Sequence, residues 1–113
     1  MDCVFCKIIA GELPCDKVFE NDKALVIRDI HPQAPVHALV IPKRHYADLE
    51  ECAATRNGII SNLVEAAIEA ARAEGIAEGG YRLVANTGRL AGQSVGHFHF
   101  HLLGGAELSG GFA

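Results

Sequence analysis

The run His97-Phe98-His99-Phe100-His101-Leu102-Leu103 alternates imidazoles with apolar side chains, and a period of two belongs to an extended strand. Successive side chains then point to opposite faces, so His97, His99 and His101 share one face while Phe98, Phe100 and Leu102 share the other. The apolar face needs a cover, and the opposite face carries imidazoles spaced by about 6.7 Å. A row of this kind is a poor choice for solubility alone. An ordinary pKa near 6.5 keeps a neutral lone pair available for nucleophilic and acid–base work, at roughly neutral pH.

The cover is legible upstream. Over 57–74, Ile59, Ile60, Leu63, Val64, Ala67, Ile68 and Ala71 recur at helical spacing, with Glu65, Glu69 and Arg72 on the other side and Gly75 placed to end the helix. Before it, "CVFCKIIAG" reads as a short helix with Phe5, Ile8 and Ile9 on one side. "KVFENDKALVIRDI" reads as a hairpin turning at "END", and "PVHALVIP" as a strand closed by Pro42. "YRLVAN" and "VGHFHFHLL" complete the strands. The expected class is α+β, with an antiparallel sheet, one long helix and one short one.

At 113 residues, with no repeat, low-complexity tract or linker, the whole of 1–113 reads as one domain. A formal charge of −4 and no basic cluster beyond "PKR" at 42–44 argue against a nucleic acid polymer as partner. No apolar run reaches the roughly 20 residues of a membrane helix, and "MDCVFCKII" has no signal-peptide pattern, which points to the cytoplasm. There Cys3, Cys6, Cys15 and Cys52 are expected to stay reduced. Cys3-x-x-Cys6 then reads as a metal or a redox pair, whereas Cys15 and Cys52 read as small hydrophobes or surface thiols. "GRLAGQS" sets Gly88, Gly92, Gln93 and Ser94 just before the histidines. Small residues there expose backbone N–H groups, and a hydroxyl stands beside them, which suits phosphate oxygens.

Together these residues resemble the histidine triad superfamily, whose motif His-φ-His-φ-His-φ-φ (φ apolar) is matched by His97 to Leu103. "RDIHPQAPVHALVIPKRH" (28–45), "GYRLVAN" (80–86) and "GQSV…LLGG" are similar to its Hint branch, the nucleotide-binding phosphoramidases, so the likeness spans almost the whole chain. It implies a HIT-like fold with five antiparallel strands per protomer. It also implies hydrolysis of purine nucleoside phosphoramidates, with aminoacyl adenylates as a further substrate class, through a nucleotidyl-histidine.

By that resemblance His99 is the nucleophile, oriented by the His97 carbonyl. His101 and Ser94 hydrogen-bond phosphate oxygens or the leaving group, Gly92 and Gln93 give loop contacts, and His37 packs beside the nucleophile. Asp29 takes the ribose hydroxyls with Ile30 beside it, Asn86 lies near the phosphate, and Phe5, Ile8 and Ile27 line the base cleft or else serve as core. Zinc-containing relatives imply a structural zinc on Cys3, Cys6, His45 and His97, with no catalytic metal. The resemblance further implies a homodimer through the long helix and the "YRLVAN" strand. Two departures stand out: Gly96 replaces the aromatic residue often found before the triad, leaving looser packing expected there, and the tail "AELSGGFA" has Phe112 where some relatives have tryptophan.

Other functions fit parts of the same pattern. A dinucleoside polyphosphate hydrolase would use the same nucleophile. A metal-dependent hydrolase would place His97, His99 and His37 around a catalytic zinc. A non-catalytic nucleotide-binding module would not need His99 to react.

Overall fold

The computed structural model describes residues 3–110; Phe112 lies outside the described residues. The elements are α1 (Val4–Ile9), β1 (Lys17–Glu20), β2 (Ala24–Arg28), β3 (Val36–Pro42), α2 (Leu49–Ala54), α3 (Ile59–Ala73), β4 (Tyr81–Ala85) and β5 (Phe100–Gly104). The five strands form one antiparallel sheet in the order β1-β2-β3-β5-β4. The β1–β2 hairpin turns where expected, because Asn21 Oδ1 accepts the backbone N–H groups of Lys23 and Ala24 at 2.9 and 2.8 Å.

The middle strands are buried on both sides, so each parity of β2 and β3 serves a different layer. Ala24, Val26, Ala38 and Val40 join Phe98, Phe100 and Leu102 beneath Leu63, Ala66, Ala67 and Ala70 of α3. Leu25, Ile27, Leu39 and Ile41 face the other way, under Cys3 and Phe5 at the start of α1. Full burial of a side chain such as Phe98 or Leu63 contributes about 1.5–3 kcal/mol. No helix among the described residues is long and apolar enough to cross a membrane.

Two local expectations change. The last strand starts only at Phe100, so His97 and His99 precede the ladder rather than sitting in it. Regular pairing with β3 ends at Val40 opposite Phe100. Before that point the chain is held by the stretch after β3: Phe98 N–H donates to the Tyr46 carbonyl at 2.6 Å, and His97 Nε2–H donates to the Pro42 carbonyl at 2.8 Å. The parity nevertheless survives, with the phenylalanines under α3 and the histidines on the α1 side. The second change is an added helix, α2. Its N-cap Asp48 accepts from Glu51 N–H at 2.9 Å, while the Glu51 carboxylate accepts the Ala47 N–H at 3.2 Å. At Gly96 a side chain would meet no atom within 4 Å, so the glycine faces open space rather than a loosened core.

Candidate active site

The imidazole row is not a solvated face: His97 and His99 are 0% and 5% exposed. Phe5 from α1 stands edge-on to both rings, with centroids 5.8 and 5.1 Å away. Burial sets the charge of these groups. Desolvation pushes His99, His101 and His97 below the usual histidine value, in each case outweighing the contacts that favour the cation.

Backbone groups then decide which nitrogen carries each proton. A carbonyl can only accept, so His99 Nδ1–H donates to the His97 carbonyl at 2.9 Å and the lone pair is left on Nε2. His37 has the opposite arrangement. The Gln33 N–H donates to its Nδ1 at 3.1 Å, which puts the ring proton on Nε2, directed at His101 Nδ1 at 3.0 Å and near Asp29 Oδ2 at 3.4 Å. His101 must therefore accept at Nδ1 and keep its own proton on Nε2. His99 and His101, with ring centroids 5.0 Å apart, thus differ in tautomer: one exposes a lone pair at Nε2 and the other an N–H.

Both rings line a hollow of about 280 Å³. Of the residues expected at the substrate, it gathers Phe5, Ile8, Ile27, Asp29, Ile30, Ser94, His99 and His101. Val4, Arg28, Leu39 and Val95 complete the wall. Leu39 and Val95 could have been found in the sequence, one by its parity with His37 and the other by its place after Ser94. Asp29 is anchored by accepting the His31 N–H at 2.8 Å.

Asn86, Gly92 and Gln93 are not in the wall. Gly92 has φ of +84° and ends a single 3₁₀ turn at Arg89–Ala91, so its glycine serves the bend. Gln93 is occupied as a brace: its Nε2 donates to the carbonyls of Ala47 and Val95 at 2.6 and 3.0 Å, and its Oε1 accepts the Gly88 N–H at 2.8 Å. It holds in place the loop that presents Ser94. Gln93→Ala is expected to cost about 1–2 kcal/mol, seen as a fall of several degrees in Tm by thermal unfolding.

A second cluster lies on the far side of His97. With Nε2–H donated to Pro42, His97 offers its Nδ1 lone pair to Cys3 Sγ at 3.3 Å and Cys6 Sγ at 3.6 Å, and His45 Nδ1 lies 3.4 Å from Cys6 Sγ. The four ligand atoms lie within 4.8 Å of one another. A tetrahedron with bonds of about 2.1 Å to nitrogen and 2.3 Å to sulfur has S–N edges of about 3.6 Å, close to these spacings. Desolvation and the neighbouring Cys3 push the Cys6 thiol up, a strain that one cation between the two sulfurs would relieve. The donor set therefore fits zinc, with the Pro42 carbonyl as the outer partner of His97.

The alternative trio of His97, His99 and His37 is not assembled. The potential ligand groups that come together among the described residues are Cys3, Cys6, His45, His97 and, separately, Asp29, His37, His101. In the latter group the Gln33 N–H occupies His37 Nδ1. Binding a metal at Nε2 would leave that ring without a proton on either nitrogen, which disfavours this trio as a metal centre.

The HIT domain family model matches residues 10–108. The chain is 43% identical to the purine nucleoside phosphoramidase of Escherichia coli K12, over 95% of this chain and 90% of that protein. It is 48% identical to a HIT-like protein of Synechococcus elongatus, over 96% of this chain and 94% of the other. Among solved structures, a HIT family hydrolase from Clostridium thermocellum superposes with a TM-score of 0.94 at 46% identity, over 99% of this chain and 97% of that one. One from Legionella pneumophila gives 0.92 at 44%, over 97% and 98%.

Proposed function

The chain belongs to the HIT domain family, and on that footing we propose that it hydrolyses the P–N bond of purine nucleoside 5'-phosphoramidates through a covalent nucleotide on His99. The observation that carries this reading is the bond from His99 Nδ1–H to the His97 carbonyl, which leaves Nε2 with a lone pair on a ring in the wall of the hollow. The phosphoramidase name of the E. coli relative supports the choice of substrate.

In the first step Nε2 of His99 attacks the α-phosphorus, forming an N–P bond as the bond to the amine breaks. His101, protonated at Nε2 by its contact with His37, is the N–H donor for the departing nitrogen or a phosphate oxygen, and Ser94 offers a hydroxyl from the braced loop. In the second step water attacks the same phosphorus and His99 recovers its lone pair. The amine departs with a proton that the substrate nitrogen brings in, so His101 keeps its N–H; in the second step the water's oxygen stays on phosphorus, one of its protons stays with the nucleotide and the other goes to solvent. Asp29 at the rim suits two ribose hydroxyls. The apolar side chains of Phe5, Ile8 and Ile27 suit the flat faces of a purine.

We further propose a structural zinc on Cys3, Cys6, His45 and His97. Such an ion would fill a closed Cys2His2 shell and fasten the start of α1 to the sheet, with no coordination position left for water. The reading also includes a homodimer. β4 is an edge strand, and Tyr81 on it and Val64 on α3 stay exposed at 39% and 36%, as an interface there requires.

The test is to mix the protein with adenosine phosphoramidate, quench in mild base and examine the peptide spanning 97–101 by mass spectrometry. An adenylyl mass on that peptide is expected, and turnover without any adduct would overturn the covalent route. The pH dependence follows from burial. Protonation removes the His99 lone pair, and desolvation holds its pKa below 6.5, so kcat/KM is expected to stay level through neutral pH and fall only on an acid limb centred below that value. A steady-state pH profile with its midpoint above 7 would contradict this.

A further inference from the structure

The basic stretch "PKR" at 42–44 has no part in the reaction described above, and it borders a separate hollow of about 180 Å³ on the α3 side of the sheet. That volume is about six waters' share of liquid, room for a tetrahedral oxyanion with part of its hydration. The hollow has no wall residue in common with the one at His99.

Its chemistry is that of a donor site. Lys23, Lys43 and Arg44 contribute three cations against the single carboxylate of Asp22. Lys43 is paired with Glu20 at 2.6 Å, whereas Lys23 and Arg44 have no ion-pair partner among the described residues. Arg44 is held over the Tyr46 ring, 5.4 Å from its centroid. The most telling group is the Tyr46 hydroxyl, on a residue only 2% exposed. The Asn57 amide has a fixed orientation, because its Oδ1 accepts from the Ile59 N–H at 3.1 Å, and a backbone N–H can only donate. Its Nδ2 must then donate to Tyr46 Oη, at 3.3 Å. The Tyr46 oxygen is thereby an acceptor, and its own proton has no acceptor among the described residues. Its O–H, on a ring otherwise buried, lines this hollow and is available to an anion bound there.

We propose that this hollow binds a small tetrahedral oxyanion of the phosphate class, with Lys23, Arg44, the Tyr46 O–H and the Asn57 amide as its donors. Charge assistance from two free cations and a neutral O–H suits an oxyanion with several acceptor oxygens better than chloride. Asp22 at the rim disfavours long polyanions that would have to pass it.

The test is a titration of the full chain with inorganic phosphate against sodium chloride at matched ionic strength, followed by amide shifts in two-dimensional NMR. Shifts at 22–24, 43–46 and 57–59 are expected to saturate with phosphate and not with chloride. Exchanging both free cations, Lys23→Glu with Arg44→Glu, should abolish that set. Both side chains are exposed, so the fold tolerates the change. Tyr46→Phe, which removes only the hydroxyl, should weaken binding by about threefold to tenfold. Shifts that fail to saturate, or that persist unaltered in the doubly substituted chain, would overturn the site.

Discussion

His99→Ala is expected to lower kcat/KM for adenosine phosphoramidate by about 10⁴-fold or more, the scale seen when a covalent nucleophile is removed from an otherwise intact site. The loss should be in kcat, because the base slot and the ribose carboxylate remain. Nucleotide affinity measured by calorimetry should therefore change by less than about tenfold. Removing a buried imidazole also leaves a cavity beside Phe5, so the comparison requires the amide spectrum of the variant to keep the dispersion of the parent. His99→Ala retaining a tenth of the parent rate would sink the covalent reading and favour direct attack by water or a purely binding role.

Removal of the proposed zinc is expected to give the second large effect. Chelation, or Cys6→Ser, is expected to cost on the order of 3 kcal/mol and to lower Tm by roughly 10 °C or more, because the proposed ion would tie α1 to the stretch after β3 and to His97. Elemental analysis of the purified protein should give about one zinc per chain, and Cys6→Ser should lose it. His99 depends on the same place. Its orienting carbonyl belongs to His97, so the variant should also lose activity through a ring that is no longer aimed, while Cys15→Ser, at an exposed thiol, should leave both readouts unchanged. A protein with no bound zinc, and a Cys6→Ser melt within about 2 °C of the parent, would leave the thiols to redox chemistry.

The sheet and its covering helix were legible because alternation and helical spacing are properties of side chains. The His-Phe-His-Phe-His run announced two faces, and Ile59 through Ala71 announced the cover. Where the last strand begins was not legible. That is decided by two hydrogen bonds to the carbonyls of Pro42 and Tyr46, groups every residue owns and no letter marks. The helix α2 did leave a signal, Asp48 with Glu51 three positions on, but a segment of six residues gives too little periodicity to stand out. At the site, the structure gathers the nominated side chains Phe5, Ile8, Ile27, Asp29, Ile30, Ser94, His99 and His101 into one hollow and leaves Asn86, Gly92 and Gln93 outside its wall. Gln93 has the right chemistry for a substrate contact, yet its amide is occupied by three bonds within the protein. The part played by Gln33 could not be read at all, since it acts through its main-chain N–H alone.

The protons on His97, His99 and His37 are thus allotted by peptide groups, those of Pro42, His97 and Gln33. Such an arrangement resists mutation in an unusual way: exchanging the side chain at 33 or 42 leaves a peptide oxygen at 42 and, for anything but proline, a peptide hydrogen at 33. Drift at the exposed position 33 can therefore leave these roles untouched, and they are inherited with the path of the chain rather than with its letters.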